Sequence, residues 1–303
     1  MRVFVTGATG FIGSAVVGEL LGAGHQVLGL ARSGEKAVAL AAVGAEVLHG
    51  TLEDANVLRK GVASSDGVIH LAFNHDFSRF VANCEDDRRV IDILGSALVG
   101  SDRPLLVTSG TGIANTVPGE PAKEDNPTVS AAVVPRAASE EAAVAVAKKG
   151  ANVSVIRLPQ VHDTRRQGLI TYAIAIAREK SVSAYPGEGS NRWPAAHVSD
   201  VARLYRLALE KGQRDARYHA VAEEGVPLRE IAEVIGKRLG IPVRSISLQD
   251  AASHFGWLAP FVNHDMNASS AQTRQRLGWR PTGPSLLADL QHLEPDDRRA
   301  APT

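Results

Sequence analysis

The segment Arg2 to Gly13, Arg-Val-Phe-Val-Thr-Gly-Ala-Thr-Gly-Phe-Ile-Gly, constrains the chain more than any other. Residues 2–5 form a short, mainly apolar run that reads as a buried strand. Residues 14–21 carry apolar side chains at helical spacing, and Gly7, Gly10 and Gly13 lie between the two. A strand that turns through glycines straight into a helix offers free N–H groups and a partial positive charge to a phosphate. In such a turn Gly7 permits the tight bend, Gly10 admits a pyrophosphate close to the backbone, and Gly13 lets the helix pack near the strand. The spacing is G-x-x-G-x-x-G rather than G-x-G-x-x-G, and the strand–turn–helix context makes it a nucleotide site.

Further strands are expected at 26–30, 45–48, 67–71, 104–107 and 152–156, alternating with helical segments. That alternation predicts an α/β fold, a Rossmann-type doubly wound parallel sheet with helices on both faces. A smaller C-terminal α/β substrate domain follows. The expected division is 1–162 for the dinucleotide-binding domain, with 197–222 returning to it, and 163–196 plus 223–303 for the substrate domain. The 303 residues suffice for both.

The zero formal net charge gives no general attraction to nucleic acid or to an anionic membrane. Cys84 is the single cysteine, which excludes an internal disulfide and a thiolate metal cluster. The histidines are scattered with no recurring ligand spacing, so no metal is expected. No apolar run approaches the ~20 residues that span a bilayer. A first strand beginning at residue 2 leaves no room for a signal peptide. The expectation is a cytoplasmic protein whose partner is a small-molecule substrate; a homodimer is compatible with this reading.

Arg32 and Ser33 end the second strand where an acidic residue would bind the ribose 2′-hydroxyl of NAD(H). An arginine there suits the 2′-phosphate, so NADP(H) is favoured over NAD(H). His75 lies just past the fourth strand, where ligands of open α/β sheets collect, and is a candidate to face substrate. Asn191, Arg192 and Trp193 are expected on a loop reaching the cleft. An arginine beside a tryptophan can clamp an acid or stack on an aromatic substrate. The alternative is a loop pinned by packing of Trp193.

The opening motif resembles that of the extended short-chain dehydrogenase/reductase superfamily, T-G-x-x-G-x-x-G, and the likeness covers nearly the whole chain. Thr51-Leu52 stands where its Gly-Asp-Leu places residues against adenine. His70-Leu71-Ala72 resembles its His-Leu-Ala segment, with His70 read as a structural residue inside the strand. Arg157-Leu-Pro159-Gln-Val161-His162-Asp163 resembles Arg-x-Pro-x-x-Tyr-Gly, with His162 at the tyrosine. Val198-Ser-Asp200-Val-Ala and Leu277-Gly-Trp279-Arg-Pro281 match later elements. The resemblance implies cofactor contacts from Gly7, Thr9, Gly10, Phe11, Ile12, Gly13, Arg32, Ser33, Thr51 and Leu52. It implies further ones from Leu71, Ala72, Phe73, Thr108, Arg136, Pro159 and Val161. It also implies a hydroxyl bonded to the substrate carbonyl, either Ser109 or Thr111.

A carbonyl reductase must deliver a proton to oxygen as hydride reaches carbon, and the superfamily uses Tyr-x-x-x-Lys. Here no tyrosine precedes Tyr172. Extended members often carry a glutamate about eight residues after the tyrosine; Glu140 fits that mark, placing Ala132 at the tyrosine and Arg136 at the lysine. An atypical branch has His-x-x-x-Arg instead; Arg136 matches it and Ala132 does not. Arginine keeps its proton to about pH 12, so Arg136 is expected to hold the nicotinamide ribose or to stabilise a developing alkoxide. The proton would come from His162, or in second place from His75, from water relayed by Ser109 or Thr111, or from water alone. The expected function is NADPH-dependent reduction of a carbonyl or imine in a small molecule. The alternatives are a non-catalytic NADP(H)-binding redox sensor and a sugar-nucleotide-type epimerase or dehydratase.

Overall fold

The computed structural model describes residues 1–32, 34–114, 117 and 119–293. The first half alternates strands and helices: β1 (Arg2–Thr6), α1 (Phe11–Gly22), β2 (Gln26–Ala31), α2 (Gly34–Ala42), β3 (Glu46–His49), α3 (Ala55–Ala63), β4 (Gly67–His70), α4 (Phe80–Ser96), β5 (Pro104–Gly110), α5 (Ala138–Lys148) and β6 (Asn152–Leu158). The second half runs β7 (Gln160–His162), α6 (Ile170–Lys180), β8 (Ser183–Pro186), β9 (Arg192–His197), α7 (Val198–Lys211), β10 (Arg217–His219), β11 (Glu223–Pro227), α8 (Leu228–Leu239), β12 (Val243–Ile246), α9 (Ala251–Phe255), α10 (Ala259–Val262), α11 (Ala271–Leu277) and α12 (Leu286–Gln291).

Seven strands form one sheet in the order β10-β6-β5-β4-β1-β2-β3. Every pairing in it is parallel, as the expected fold class requires. Parallel neighbours need crossover connections, and helices supply them. The strand period of two shows directly in β1. Val3 and Val5 point into the core under α1 and α7, whereas Phe4 points into the core under α3, α4 and α5. Strand order reverses between β1 and β4, which makes the carboxyl ends of these strands the place for a ligand.

A three-stranded sheet (β11-β9-β7), a two-stranded one (β12-β8) and helices α6, α8, α9, α10 and α12 enclose a third core. The strand β10 returns to the large sheet, while β7 pairs with β9 in the small one. The C-terminal segment is fastened to α7: Trp279 Nε1 donates to the Asp200 carbonyl (2.9 Å), and the Asp200 carboxylate accepts from the N–H groups of Thr282 (2.9 Å) and Gly283 (2.8 Å). Among the described residues no helix is long and apolar enough to cross a membrane.

Candidate active site

The chain leaves β1 through Gly7, whose φ is +69°. A Cβ on Gly7 would lie 2.7 Å from the Ala72 nitrogen, so the turn is pressed against the segment leaving β4. A Cβ on Gly13 would lie 1.9 Å from the Gly7 carbonyl oxygen. Both glycines are therefore steric requirements of the turn. Gly10 is the N-cap of α1, with no side-chain cap and no acidic residue in the first turn. The first N–H groups of α1, those of Phe11, Ile12 and Gly13, lack intrahelical partners and can meet a phosphate. This cradle fits the pyrophosphate of a dinucleotide, and Thr9, on the turn itself, is half-buried beside it.

Arg32 follows β2 directly and is exposed; Ser33 lies outside the described residues. Thr51 and Leu52 follow β3, with Leu52 packed on the core beneath. The Glu53 carboxyl is held below its ordinary range, first by a hydrogen bond from Thr51, then by its own backbone N–H, with Arg32 and Arg89 nearby. An acid thus does stand near Arg32, but it comes from the segment after β3, four residues beyond His49, and not from the end of β2. Arg89, from α4, was not anticipated.

Behind the cradle lies a buried polar network. Thr6 Oγ1 and His70 Nδ1 share a hydrogen bond of 2.6 Å, and His70 Nε2 meets Asp87 Oδ1 at 2.9 Å. Arg136 Nη1 donates to Asp87 Oδ2 at 3.1 Å, and Ser139 donates to the same oxygen. Arg136 Nη2 donates to the Thr108 carbonyl at 3.1 Å, while the Thr108 hydroxyl donates to the His70 carbonyl at 2.6 Å and contacts the Tyr205 hydroxyl. Burial opposes the Asp87 charge, but contacts with His70, Arg136 and Ser139 outweigh it and hold the carboxyl below its usual range. One carboxylate therefore ties β1, β4, β5, α4 and the start of α5 together, and orients Arg136. The guanidinium carbon also sits 4.2 Å from the centroid of the Phe73 ring. The ring of His75 meets the same Phe73 edge-on at 5.3 Å. Desolvation, then Arg136, lowers the His75 pKa.

Other expected residues lie elsewhere. Ser109 and Thr111 are each 4% exposed and take no part in the Arg136 network. Ser109 lies on the Glu140 side of β5, and the Thr111 hydroxyl donates to the Leu158 carbonyl (3.4 Å). Thr108, expected only as a cofactor contact, is the β5 hydroxyl beside Arg136. Val161 is in the main core and Pro159 is half-buried. His162 is fully buried in β7, with Nδ1 2.6 Å from Asp289, so it presents no proton to a cleft in this structure. Its pKa is lowered chiefly by burial.

Asn191, Arg192 and Trp193 do not form the expected substrate loop. Arg192 and Trp193 belong to β9, between β7 and β11. Trp193 is fully buried, with Nε1 donating to the Phe261 carbonyl (3.3 Å). Arg192 forks onto Asp265 at 3.2 and 2.7 Å, and Asn191 donates to the Val262 carbonyl. All of them pin β9 to residues 261–265 because the strand's buried positions face the third core, a contact distant in sequence. Ala132, at the tyrosine position, is exposed.

The chain belongs to the NAD dependent epimerase/dehydratase family, whose profile matches residues 3–222, a span that ends just after β10. Members are NAD(P)-dependent oxidoreductases, epimerases and dehydratases with this Rossmann fold. An uncharacterized protein of Schizosaccharomyces pombe is 48% identical over 293 residues, covering 96% of this chain and 98% of that one. The 4-hydroxy-2-methyl-3-oxo-4-farnesyl-3,4-dihydroquinoline-1-oxide ketoreductase of Stigmatella aurantiaca is 26% identical over 277 residues, with 84% and 80% covered. The structure of a dTDP-glucose 4,6-dehydratase from Streptomyces venezuelae with bound NAD shares the fold at TM-score 0.77 and 21% identity, over 97% of this chain and 95% of that one.

Proposed function

We propose that this chain is an NADPH-dependent reductase acting on a carbonyl or imine of a small molecule, with Arg136 in place of the usual tyrosine–lysine pair. The observation that carries the reading is the placement of Arg136: a cation locked by Asp87 and the Thr108 carbonyl at the carboxyl ends of β4 and β5, beside the glycine cradle. The distant likeness to a ketoreductase supports the reaction class. Bound NADPH would supply the hydride. As the substrate oxygen gains charge, the fixed guanidinium stabilises it without reorganising, and it does so as a permanent cation rather than as an acid. The proton then comes from water or through His75, which shares the Phe73 ring with Arg136; an imine would need this donor less. Arg32, with Arg89 close by, supports NADPH over NADH, although Glu53 offsets part of that charge.

NADPH oxidation followed optically over ketones, aldehydes and cyclic imines, with NADH in parallel, tests this. Turnover that requires NADPH, and an Arg136→Ala variant that still binds NADPH but turns over at least tenfold more slowly, are the expected results; the loss matches about 1.4 kcal/mol or more of transition-state stabilisation. Wild-type rate in Arg136→Ala refutes the electrostatic role. Exposure of Ala132 where a catalytic tyrosine is expected favours one alternative, a redox sensor. Tight NADPH binding with no turnover of any substrate would select it.

A further inference from the structure

Beyond Arg136, the structure gathers aromatic side chains from both halves of the chain. Phe73 and Phe77 lie between β4 and α4, and Phe80 opens α4. Tyr172 lies on α6, and Trp257 on the turn after α9. The Phe77 ring stacks on Trp257 at 4.4 Å and 20°, and Tyr172 stands edge-on to both, at 5.9 and 4.9 Å. Phe80 links them to Phe73, with centroids 5.7 Å from Phe77 and 6.3 Å from Phe73. Phe73 in turn carries Arg136 at 4.2 Å. An unbroken line of rings thus runs from the cation to the edge of the third core.

The line is held in place but not closed off. Asp76 caps the short turn at Phe77–Arg79, and the buried Asn83 amide donates to the carbonyls of Asn74 and Asp76, at 3.2 and 2.8 Å. Trp257 is 43% exposed, whereas Trp193 and Trp279 are fully buried. Trp257 meets Phe77, Tyr172 and Phe261 (6.2 Å, edge-on) and still keeps part of its indole in water, a surface on which a further flat ring can lie. Arg192, the cation of the expected substrate loop, is taken up by Asp265.

We infer that the substrate is a flat aromatic or conjugated carbonyl compound, its ring lying against Trp257 and Phe77 and its oxygen pointing along the line of rings toward the Arg136 end, rather than a sugar nucleotide. This rests on the reductase reading for the direction of the oxygen, but the ring site itself does not. Calorimetric titration of the full chain, with and without NADP+, tests it with 2-acetonaphthone, with cyclohexyl methyl ketone as its non-aromatic counterpart, and with UDP-glucose. The expected result is saturable binding of 2-acetonaphthone only, weakened about fivefold to tenfold in Trp257→Leu and retained in Trp257→Phe. Phe77→Leu is expected to weaken it similarly. Equal binding by Trp257→Leu, absence of aromatic binding to wild type, or tighter binding of UDP-glucose overturns the inference. Aromatic binding without NADPH turnover removes the reductase reading and leaves the ring site standing. NADPH turnover of aliphatic carbonyls, indifferent to Trp257→Leu, does the reverse.

Discussion

Gly13→Ala puts the cradle under direct strain. Its Cβ would stand 1.9 Å from the Gly7 oxygen and 2.8 Å from the Gly7 carbon, where ordinary contact begins at 3.4 Å. Turn and helix must separate by about 1.5 Å, the difference between 3.4 and 1.9 Å. Both partners are backbone, so no side chain can swing aside to absorb it. Overpacking of this kind costs about 1–3 kcal/mol. The same shift strains the 2.9 Å bond from the Gly10 N–H to the Gly7 carbonyl and carries the first N–H groups of α1 out of register with a phosphate. Losing one charge-assisted hydrogen bond there costs about 1.5–3 kcal/mol, or about tenfold to a hundredfold in affinity. Gly18→Ala is the control: it is exposed on the same helix, and its Cβ would meet nothing within 4 Å. That change should gain about 0.5–1 kcal/mol and leave affinity unaltered. NADPH fluorescence titration and thermal unfolding of both variants decide the matter. Gly13→Ala binding NADPH as tightly as wild type would refute the cradle argument.

Other predictions follow from the same contacts. Arg32→Asp should weaken NADPH binding about tenfold or more while leaving NADH nearly unchanged, read by parallel titrations; equal loss for both removes Arg32 from 2′-phosphate recognition. Trp193→Ala should destabilise the fold by about 3–5 kcal/mol in urea unfolding, as removal of a fully buried indole does; a stable variant with only a raised KM would restore the substrate-clamp role. His219 is buried between Arg157 and the Ser269 carbonyl, and burial followed by the Arg157 charge lowers its pKa from 6.5 to about 4. The unfolded chain therefore takes up a proton first, so stability is full above pH 6.5 and falls by about 3 kcal/mol as pH drops to 4. His219→Asn, which can keep the bond to Ser269, should flatten that dependence, and identical pH slopes for the two proteins would count against it. Glu140 acts at lower pH: despite burial, Arg157 and Thr128 hold its pKa at about 2, so its contribution is present above 4.5 and disappears toward pH 2. Glu140→Gln strands the buried Arg157 guanidinium and should cost about 3–5 kcal/mol at pH 7, measured by chemical unfolding.

The parallel sheet is legible in the sequence because it rests on short-range chemistry. Apolar runs of strand length between helical periods give the alternation, and the glycine spacing at 7, 10 and 13 states where backbone must approach backbone. Arg136, singled out through the family resemblance by its spacing from Glu140, donates to the Thr108 carbonyl near the end of β5. Local pattern failed where the partner is remote. The strand β7 has three residues, and the four inner positions of β9 are all buried and include Pro194, so neither shows the period of two that marks a strand. For that reason Arg192 and Trp193 read as a loop.

The sequence by itself determined the fold class and the glycine turn between β1 and α1, since both follow from periodicity and from steric limits within a few neighbouring residues. Only the tertiary structure decided which polar groups share a carboxylate. Asp87 lies 17 residues from His70 and 49 from Arg136, and nothing in either interval marks the three as partners. It also decided that His162 is walled in against Asp289, 127 residues away, while His75 stays beside Arg136. Burial and charge pairing depend on which distant segments pack together: around the parallel sheet for Asp87, and between β7 and the C-terminal helix α12 for His162.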